Sequence, residues 1–341
     1  MSTPTQTRAN YACPDATLIL KADAPQEAWL ETRTQGIGGS DVSALAGLNK
    51  WSNPLAVYYS KTSQAPRQEY TQAMRMGHLM EPLLKQMFTE DTGIKVRRAG
   101  LMRSKANPFM QVTVDGLTED GGIFESKTST GWLSSEWADG QVPDHAELQV
   151  QHGMAVTGRS HAWVVGLLDG RDWFIRRIER DQDLIDQIIK MERDFWHNHV
   201  LTMQEPPVST ANTVDTLKAK FAEADPDKTV QHPAEKLAQL KAEYDAGKAE
   251  EKAGKERADM AAAELRLIIG DATILQDETG AQFAKLANDG TFSESRFKKE
   301  HPELWEAHQI ETTVFDKKWL QENEPELYTS FRPRSLRISK P

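Results

Sequence analysis

Cysteine is nearly absent from the sequence, since Cys13 is the only one among 341 residues. A single cysteine excludes an intrachain disulfide and any zinc site built from several cysteines, and it fits a reducing compartment. Long hydrophobic runs are absent too, because the longest, 162–168, is far shorter than the roughly 18 residues that a transmembrane helix needs. Residues 1–15 contain no apolar stretch of the secretory type. We therefore expect a soluble protein of the cytoplasm with no membrane partner.

Positive charge is also in deficit. The chain has 41 Lys and Arg residues against 51 Asp and Glu residues, which gives a net charge of −10. This balance excludes a protein that coats nucleic acid through bulk basicity. It does not exclude a metal-dependent nuclease, because such a site needs carboxylates and its DNA channel can be locally basic. The hydrophobic content of 38% is sufficient for a folded core.

The order of predicted elements indicates an α/β fold with a central mixed β-sheet flanked by helices. Apolar residues at helical spacing predict helices over 73–92 and 145–157. Alternating segments over 94–101, 110–117 and 121–128 lie between them and predict strands.

Composition predicts three regions along the chain. Residues 1–24 are polar and predict a flexible N-terminal arm, and residues 25–211 hold the α/β core. Residues 212–341 form a mainly helical C-terminal extension. Within it, the sequence predicts a helical hairpin or coiled coil over 214–269, a small β-hairpin over 272–286 and a basic tail.

Three residues on neighbouring strands carry a candidate chemistry. Nine residues separate Asp115 from Glu125, and Lys127 follows two residues later. Strand alternation places Glu125 and Lys127 on one face, and a tight turn brings Asp115 beside Glu125. Paired carboxylates suit Mg²⁺ or Mn²⁺, and a neighbouring lysine can orient or deprotonate a metal-bound water. These residues alone also fit a solvated hairpin with an Asp-Gly turn and an exposed Glu/Lys pair.

Other segments add groups suited to the same chemistry. Glu81 lies on the helix before the strands, and Gln151 lies on the helix after them. Arg33 and Ser40 flank a glycine-containing loop. The guanidinium of Arg33 and the backbone N–H groups of the loop could together cradle a phosphate. With these motifs in this order, residues 28–181 resemble the bacteriophage lambda exonuclease and YqaJ-type viral recombinase family, a branch of the PD-(D/E)XK nucleases.

The resemblance implies a restriction-endonuclease-like core that uses Mg²⁺, with Mn²⁺ as a substitute and two ions per site. The residues that it assigns to the site are the metal ligands Asp115, Glu125 and the backbone carbonyl of Ser126, the catalytic Lys127, the supporting catalytic groups Glu81 and Gln151, and the 5′-phosphate ligands Arg33 and Ser40.

The resemblance also implies a function. A family member would degrade one strand of linear double-stranded DNA from 5′ to 3′, releasing 5′-mononucleotides and leaving 3′ single-stranded tails. It would act as a homotrimer ring with a single-strand annealing recombinase, encoded by a phage or prophage. An endonuclease on the same core and a non-catalytic DNA-end-binding protein stay open as alternatives. Residues 212–341 have no counterpart in the compact lambda enzyme.

Two further features each allow two interpretations. A cluster of basic side chains is either a DNA track or a solvated edge strand, and two tryptophans either stack on bases or pack in the core. The basic residues are Lys95, Arg97, Arg98, Arg103 and Lys105, and the tryptophans are Trp132 and Trp137.

Overall fold

The chain divides into two compact units, Met1–Ala222 and Glu223–Pro341. The computed structural model describes residues 9–65, 71–223, 227–286, 290–308 and 314–332, so most of the predicted basic tail lies outside the described residues. The boundary falls later than the predicted one at 211. The reason is that a helix over Thr213–Lys220 packs on the N-terminal unit, where Thr216 accepts a 2.8 Å hydrogen bond from the Asn53 amide.

The N-terminal unit contains two sheets. Its strands are β1 (Ala16–Leu20), β2 (Val96–Arg97), β3 (Leu101–Ser104), β4 (Gln111–Val112), β5 (Gly116–Thr118), β6 (Ile123–Ser129), β7 (His161–Leu168) and β8 (Asp172–Glu179). Five strands follow the order β2-β5-β6-β7-β8, and three follow the order β1-β3-β4. In the larger sheet β6 and β7 run parallel while every other pair is antiparallel. The sheet is therefore mixed, and the predicted α/β class is confirmed.

Helices cover both faces of this larger sheet. The helices of the N-terminal unit are α1 (Gln26–Thr34), α2 (Gly39–Leu45), α3 (Pro54–Lys61), α4 (Gln72–Thr92), α5 (Asp144–Thr157), α6 (Gln182–Phe195) and α7 (Thr213–Lys220). Helix α4 packs on one face of the sheet and α5 on the other. Parallel neighbours need a crossover connection, which α5 supplies between β6 and β7. The helix ends at Gly158, whose φ of 74° suits the left-handed conformation that closes a helix.

Strand β6 separates two hydrophobic clusters. Phe124 points to one face, where its ring centroid lies 5.2 Å from that of Phe88 on α4. Ile123 points to the other face and belongs to the cluster that includes Val150 of α5. Since side chains alternate along a strand, residues 125 and 127 share the face of Ile123 and point towards α5. This alternation directs the candidate catalytic groups to the crossover helix.

The segment predicted as a flexible arm contains a strand, which corrects that prediction for residues 16–20. Strand β1 pairs antiparallel with β3, and Ala16 lies opposite Ser104. Basic side chains hold the flanking backbone, since Lys105 donates to the Pro14 carbonyl at 2.7 Å and Arg98 to the Ala22 carbonyl at 3.2 Å. These two members of the basic cluster therefore anchor the N-terminal segment.

The single strand predicted over 94–101 is wrong. The structure divides it into β2 and β3, which belong to different sheets. Gly100 lies at the division, where a Cβ would stand only 2.0 Å from the Leu20 carbonyl oxygen. The close approach of the β1 backbone thus requires glycine at the point where the chain leaves one sheet for the other.

The C-terminal unit contains one long helix and several short elements. They are α8 (Ala234–Ile269), β9 (Ile274–Gln276), β10 (Gln282–Lys285), α9 (Glu294–Glu300), α10 (Pro302–Ala307), α11 (Lys317–Asn323) and α12 (Pro325–Ser330). Strands β9 and β10 form an antiparallel hairpin where one was predicted.

Of the two alternatives predicted over 214–269, the helical hairpin is wrong, because α8 continues unbroken through Gly247 and Gly254, and the coiled coil stays a prediction. Ion pairs one turn apart, such as Lys241 with Asp245 at 2.6 Å, support the helix from its surface. Each glycine costs about 1 kcal/mol relative to alanine, which the many alanines and charge pairs offset. Across the described parts of the chain, no helix combines the length and the apolar character needed to cross a membrane.

Candidate active site

Glu125, Lys127 and Gln149 form a closed triangle of hydrogen bonds. Oε1 of Glu125 accepts from Nζ of Lys127 at 2.7 Å and from Nε2 of Gln149 at 2.7 Å. Nζ of Lys127 also donates to Oε1 of Gln149 at 2.8 Å. Glu125 and Lys127 come from β6 and Gln149 from the crossover helix α5. Each side chain is therefore held in one orientation by the other two.

Asp115 lies between β4 and β5 and is fixed by Ser126 of the adjacent strand. Its Oδ2 accepts hydrogen bonds from the Ser126 backbone N–H at 2.8 Å and from the Ser126 hydroxyl at 2.7 Å. Among the described residues, Oδ1 of Asp115 and Oε2 of Glu125 accept no hydrogen bond. Each carboxylate thus keeps one oxygen available to a ligand.

Burial, followed by the negative charge of Asp115, raises the pKa of Glu125 to about 7, although Lys127 opposes the rise. The charge of Glu81 contributes in the same direction, which places this α4 residue within electrostatic range of the site. Glu81 also pairs with Lys85 on the next turn of α4. The site therefore concentrates more negative charge than Lys127 balances, and a bound cation would stabilise it.

The donor set fits a hard divalent ion. Two carboxylates each offer a free oxygen, and oxygen ligands suit Mg²⁺ and Mn²⁺. No group of three or more His, Cys, Asp or Glu side chains converges on one point within the described ranges. An ion bound here would complete its coordination with water and a backbone carbonyl, as Mg²⁺ commonly does.

The structure does not bring Gln151 into this cluster. Its amide donates to the Glu179 carbonyl at 2.9 Å and accepts from the Asp181 N–H at 3.0 Å, so it ties α5 to the end of β8 and the start of α6. Residues two positions apart on a helix point about 200° apart and cannot share a face. The glutamine that faces β6 is therefore Gln149 and not Gln151, and the alternation of the two glutamines in sequence does not reveal which one does so.

Arg33 and Ser40 meet at a separate cavity of about 740 Å³. Nη2 of Arg33 donates to the Ser40 hydroxyl at 2.6 Å. Behind them, Oδ2 of Asp41 forms an ion pair with Nζ of the buried Lys61 at 2.7 Å. Burial alone would raise the pKa of Asp41, but the charges of Lys61 and Arg33 lower it to about 2. Sequence reasoning did not connect Lys61 with Asp41, because no local motif joins residues twenty positions apart.

Gly39 joins the Arg33–Ser40 pair to the glutamine of the triangle. A Cβ at Gly39 would lie 3.0 Å from Cγ and 3.2 Å from the carbonyl oxygen of Gln149. The absent side chain allows α2 to pack directly on α5. Ser40 and Gln149 consequently lie on facing helices, and the two groups of candidate residues are neighbours.

Of the two tryptophans that could stack on bases or pack in the core, Trp137 is a packing residue. Trp137 is buried and stacks on Phe174 with ring centroids 5.5 Å apart. The side chain of Trp132 lies outside the described residues. His152 is also buried, with Nδ1 2.7 Å from Glu192 Oε1 and Nε2 3.0 Å from the Gln111 carbonyl oxygen. It serves to connect α5 with α6 and β4.

A family model and a relative of this chain both point to the same family. The sequence model of the "YqaJ-like viral recombinase domain" matches residues 28–160. The "Uncharacterized protein YqaJ" of Bacillus subtilis (strain 168) is 34% identical over 219 residues, which cover 62% of this chain and 69% of that protein.

Solved structures with a similar arrangement include two exonucleases. The alkaline exonuclease LHK-Exo from Laribacter hongkongensis is 25% identical, with a TM-score of 0.45 over 51% of this chain and 92% of its own. A phage-related exonuclease from Haemophilus somnus 129PT is 14% identical, with a TM-score of 0.40 over 52% of this chain and 100% of its own.

Proposed function

Since the chain belongs to the YqaJ-like viral recombinase family, we propose that it is a Mg²⁺-dependent exonuclease that degrades one strand of linear double-stranded DNA from 5′ to 3′. One observation carries the proposal. The Gly39–Gln149 contact sets the Arg33–Ser40 pair beside the Glu125–Lys127–Gln149 triangle. A group that can hold a terminal phosphate therefore neighbours a group that can hydrolyse the next phosphodiester.

Asp115, Glu125 and the Ser126 carbonyl are the residues that would hold the metal. A divalent ion at this point supplies an acidified water and neutralises charge on the phosphodiester. Lys127 would position the attacking water. Its Nζ is fixed by two acceptors at 2.7 and 2.8 Å, and its remaining proton can orient the attacking water in line with the scissile bond. Gln149 keeps both Lys127 and Glu125 in place during this step.

Arg33 and Ser40 would give the enzyme its preference for a 5′-phosphorylated DNA end. A guanidinium offers paired N–H donors that match a phosphate group, and the Ser40 hydroxyl adds a further donor. Asp41 is shared between two cations, since its carboxylate lies 2.7 Å from Nζ of Lys61 and 3.8 Å from Nη2 of Arg33, so the group keeps a net positive charge for a phosphate. A 5′-phosphate held here fixes the distance to the hydrolytic triangle, so the product is a mononucleotide and the remaining strand forms a 3′ tail.

Family membership supports two further parts of the proposal. The 3′ tail is the substrate that a single-strand annealing recombinase requires, and a ring of three subunits around the duplex would keep the enzyme on its substrate between successive hydrolytic steps.

The test uses linear duplex DNA labelled at one 5′-phosphorylated end, with closed circular DNA in parallel. Each is incubated with Mg²⁺ or EDTA and with the wild type, Lys127→Ala or Lys190→Ala, the last being a control at an exposed lysine of α6. We expect early release of the label as a mononucleotide that requires Mg²⁺ and Lys127 and is unchanged in the control. Cleavage of the circle would instead indicate an endonuclease. DNA binding without metal-dependent loss of either substrate would leave a DNA-end-binding protein.

A further inference from the structure

Trp51 is an exposed aromatic residue to which the proposed mechanism gives no role. Its side chain is 77% exposed, although tryptophan buries more apolar surface than most residues when it can. An indole that remains in water at a cleft is typical of a surface that binds a ligand.

The loop that presents Trp51 is held rigidly. The Asn49 side chain accepts hydrogen bonds from the backbone N–H groups of Trp51 at 2.8 Å and Ser52 at 2.9 Å. From the opposite direction, the Asn212 amide donates to the carbonyls of Asn49 at 2.9 Å and Ser52 at 3.0 Å. A loop fixed from both sides spends little conformational entropy when its aromatic residue meets a ligand.

Trp51 borders two cavities. It lines the 740 Å³ cavity that contains Arg33 and Ser40, and it also lines a second cavity of about 260 Å³ that contains His145. His145 lies one turn before Gln149 on α5, so both side chains share one face of the helix. The charge of Lys127 acts on His145 as well. The indole therefore borders both the phosphate-holding cavity and the surroundings of the hydrolytic lysine.

We propose that Trp51 stacks on the base of the terminal nucleotide of the 5′ strand, the nucleotide whose phosphate Arg33 and Ser40 hold. This proposal rests on the proposed exonuclease function and adds a base-binding residue to it. Cationic Arg33 takes the phosphate while the neutral indole takes the base, which matches the two chemical parts of a nucleotide. Stacking of this kind tolerates every base, because each has a π-face. The contact would hold the end of the duplex without sequence preference.

The experiment compares Trp51→Leu with Trp51→Phe. Leucine keeps the apolar character but removes the ring, and phenylalanine keeps a ring that can stack. Each variant and the wild type receive a 5′-phosphorylated duplex that ends in either a normal or an abasic 5′ nucleotide, and release of the first nucleotide is measured against DNA concentration. The unfolding midpoint of each variant should match the wild type, since the side chain is exposed.

We expect Trp51→Leu to raise KM for the normal end about tenfold, the usual scale for one stacked base, with little change in kcat. Trp51→Phe should restore most of the loss. With the abasic end, the wild type should already show the raised KM and Trp51→Leu should add nothing. Equal KM values for the wild type and Trp51→Leu on the normal end would overturn the proposal, as would an equal loss on both ends.

Equilibrium binding of the same duplexes in EDTA separates this proposal from the proposed function. If the wild type releases no nucleotide, the exonuclease proposal fails and the binding series alone decides the stacking. A weaker affinity of Trp51→Leu that is confined to the normal end would still support the contact. The same affinity on both ends for both proteins would exclude it.

Discussion

Gln149 and Gln151 stand two residues apart on α5 and have different surroundings. Gln149 hydrogen-bonds to the side chains of Glu125 and Lys127, whereas Gln151 hydrogen-bonds to backbone groups of Glu179, at the end of β8, and of Asp181. We predict that Gln149→Ala lowers kcat for nucleotide release by 10-fold to 100-fold, since it frees two groups that must be held in position (roughly 1–3 kcal/mol in the transition state). Steady-state kinetics on a 5′-phosphorylated duplex measures the effect.

Gln151→Ala is the matched control for this prediction. It should lower the free energy of unfolding by about 1–3 kcal/mol, because two part-buried hydrogen bonds are lost at about 0.5–1.5 kcal/mol each, and it should leave kcat nearly unchanged. Urea unfolding and the same kinetic assay report the two quantities. An equal loss of kcat in both variants would show that the triangle around Gln149 has no special role.

The Asp41–Lys61 pair gives a prediction about stability. Lys61 is 8% exposed and its ammonium group pairs with Asp41 at 2.7 Å. Asp41→Asn removes the charge that compensates a buried cation, which costs about 3–5 kcal/mol of unfolding free energy. Asp215→Asn is the control, since Asp215 forms its ion pair with Lys218 on the exposed surface of α7 and should change stability by less than about 1 kcal/mol.

The pH dependence of the same pair follows from the pKa of Asp41, which lies at about 2 instead of 3.8. A lowered pKa in the folded state stabilises the protein above pH 3.8, and the stabilisation is lost as the pH falls towards 2. The difference in unfolding free energy between the wild type and Asp41→Asn should therefore be largest above pH 4 and shrink at lower pH. A difference that stays constant down to pH 2 would contradict the assigned ion pair.

The candidate site could be predicted from sequence where the local geometry is regular. Glu125 and Lys127 share a face because strand alternation has a period of two, and in the structure they hydrogen-bond to each other while the charge of Asp115 acts on Glu125. The choice between Gln149 and Gln151 depends on how α5 is rotated against β6, which tertiary packing decides. The Asp41–Lys61 pair depends on how α2 packs against α3, and no short sequence pattern reports such a contact.

At the scale of whole elements, the contact between α2 and α5 sets the spacing of the site. A Cβ at Gly39 would stand 3.0 and 3.2 Å from Gln149 atoms, closer than ordinary packing. We predict that Gly39→Ala separates the two helices, with a loss of about 1–3 kcal/mol in stability and a fall in the rate of nucleotide release. The fall should be largest for 5′-phosphorylated ends, because Ser40 moves with α2.

Gly38→Ala provides a matched control one residue earlier. A Cβ at Gly38 would meet Asp41 Oδ2 at 3.6 Å and the Gln111 carbonyl oxygen at 3.9 Å, which are ordinary contacts. Its backbone φ of −99° is open to any residue. Stability and rate should therefore stay close to the wild type. If both alanine variants lose activity equally, the spacing of α2 and α5 is not the cause.

Elements with regular periodicity could be located from sequence, and elements shaped by distant contacts could not. The apolar stripe of α4 predicts its bounds to within a residue, since helix 73–92 is observed as Gln72–Thr92. The break between β2 and β3 depends on the approach of β1 to Gly100, about eighty residues away in the chain. The continuity of α8 depends on the sum of many small propensities and charge pairs, against which two glycines are insufficient to end the helix.

At the scale of the whole molecule, the two compact units differ in how much apolar surface they bury. The hydrophobic clusters around β6 belong to Met1–Ala222. Among the described residues of Glu223–Pro341, Ile269 is the one hydrophobic side chain that is buried, and α8 exposes Leu237, Leu240 and Tyr244. Because apolar burial is the main source of folding free energy, the second unit has much less stabilisation of its own.

We therefore predict that the two units unfold separately. In increasing urea, the amides of α8 should lose protection from hydrogen exchange at a lower concentration than those of β7, an interior strand that pairs with β6 and β8 in the larger sheet. Hydrogen exchange followed by mass spectrometry reports both segments in the same sample, so β7 serves as the internal reference. Equilibrium unfolding of the full chain should then depart from a single transition. If α8 and β7 lose protection at the same urea concentration, the two units unfold cooperatively. The difference in buried apolar surface between them would then not produce separate unfolding transitions.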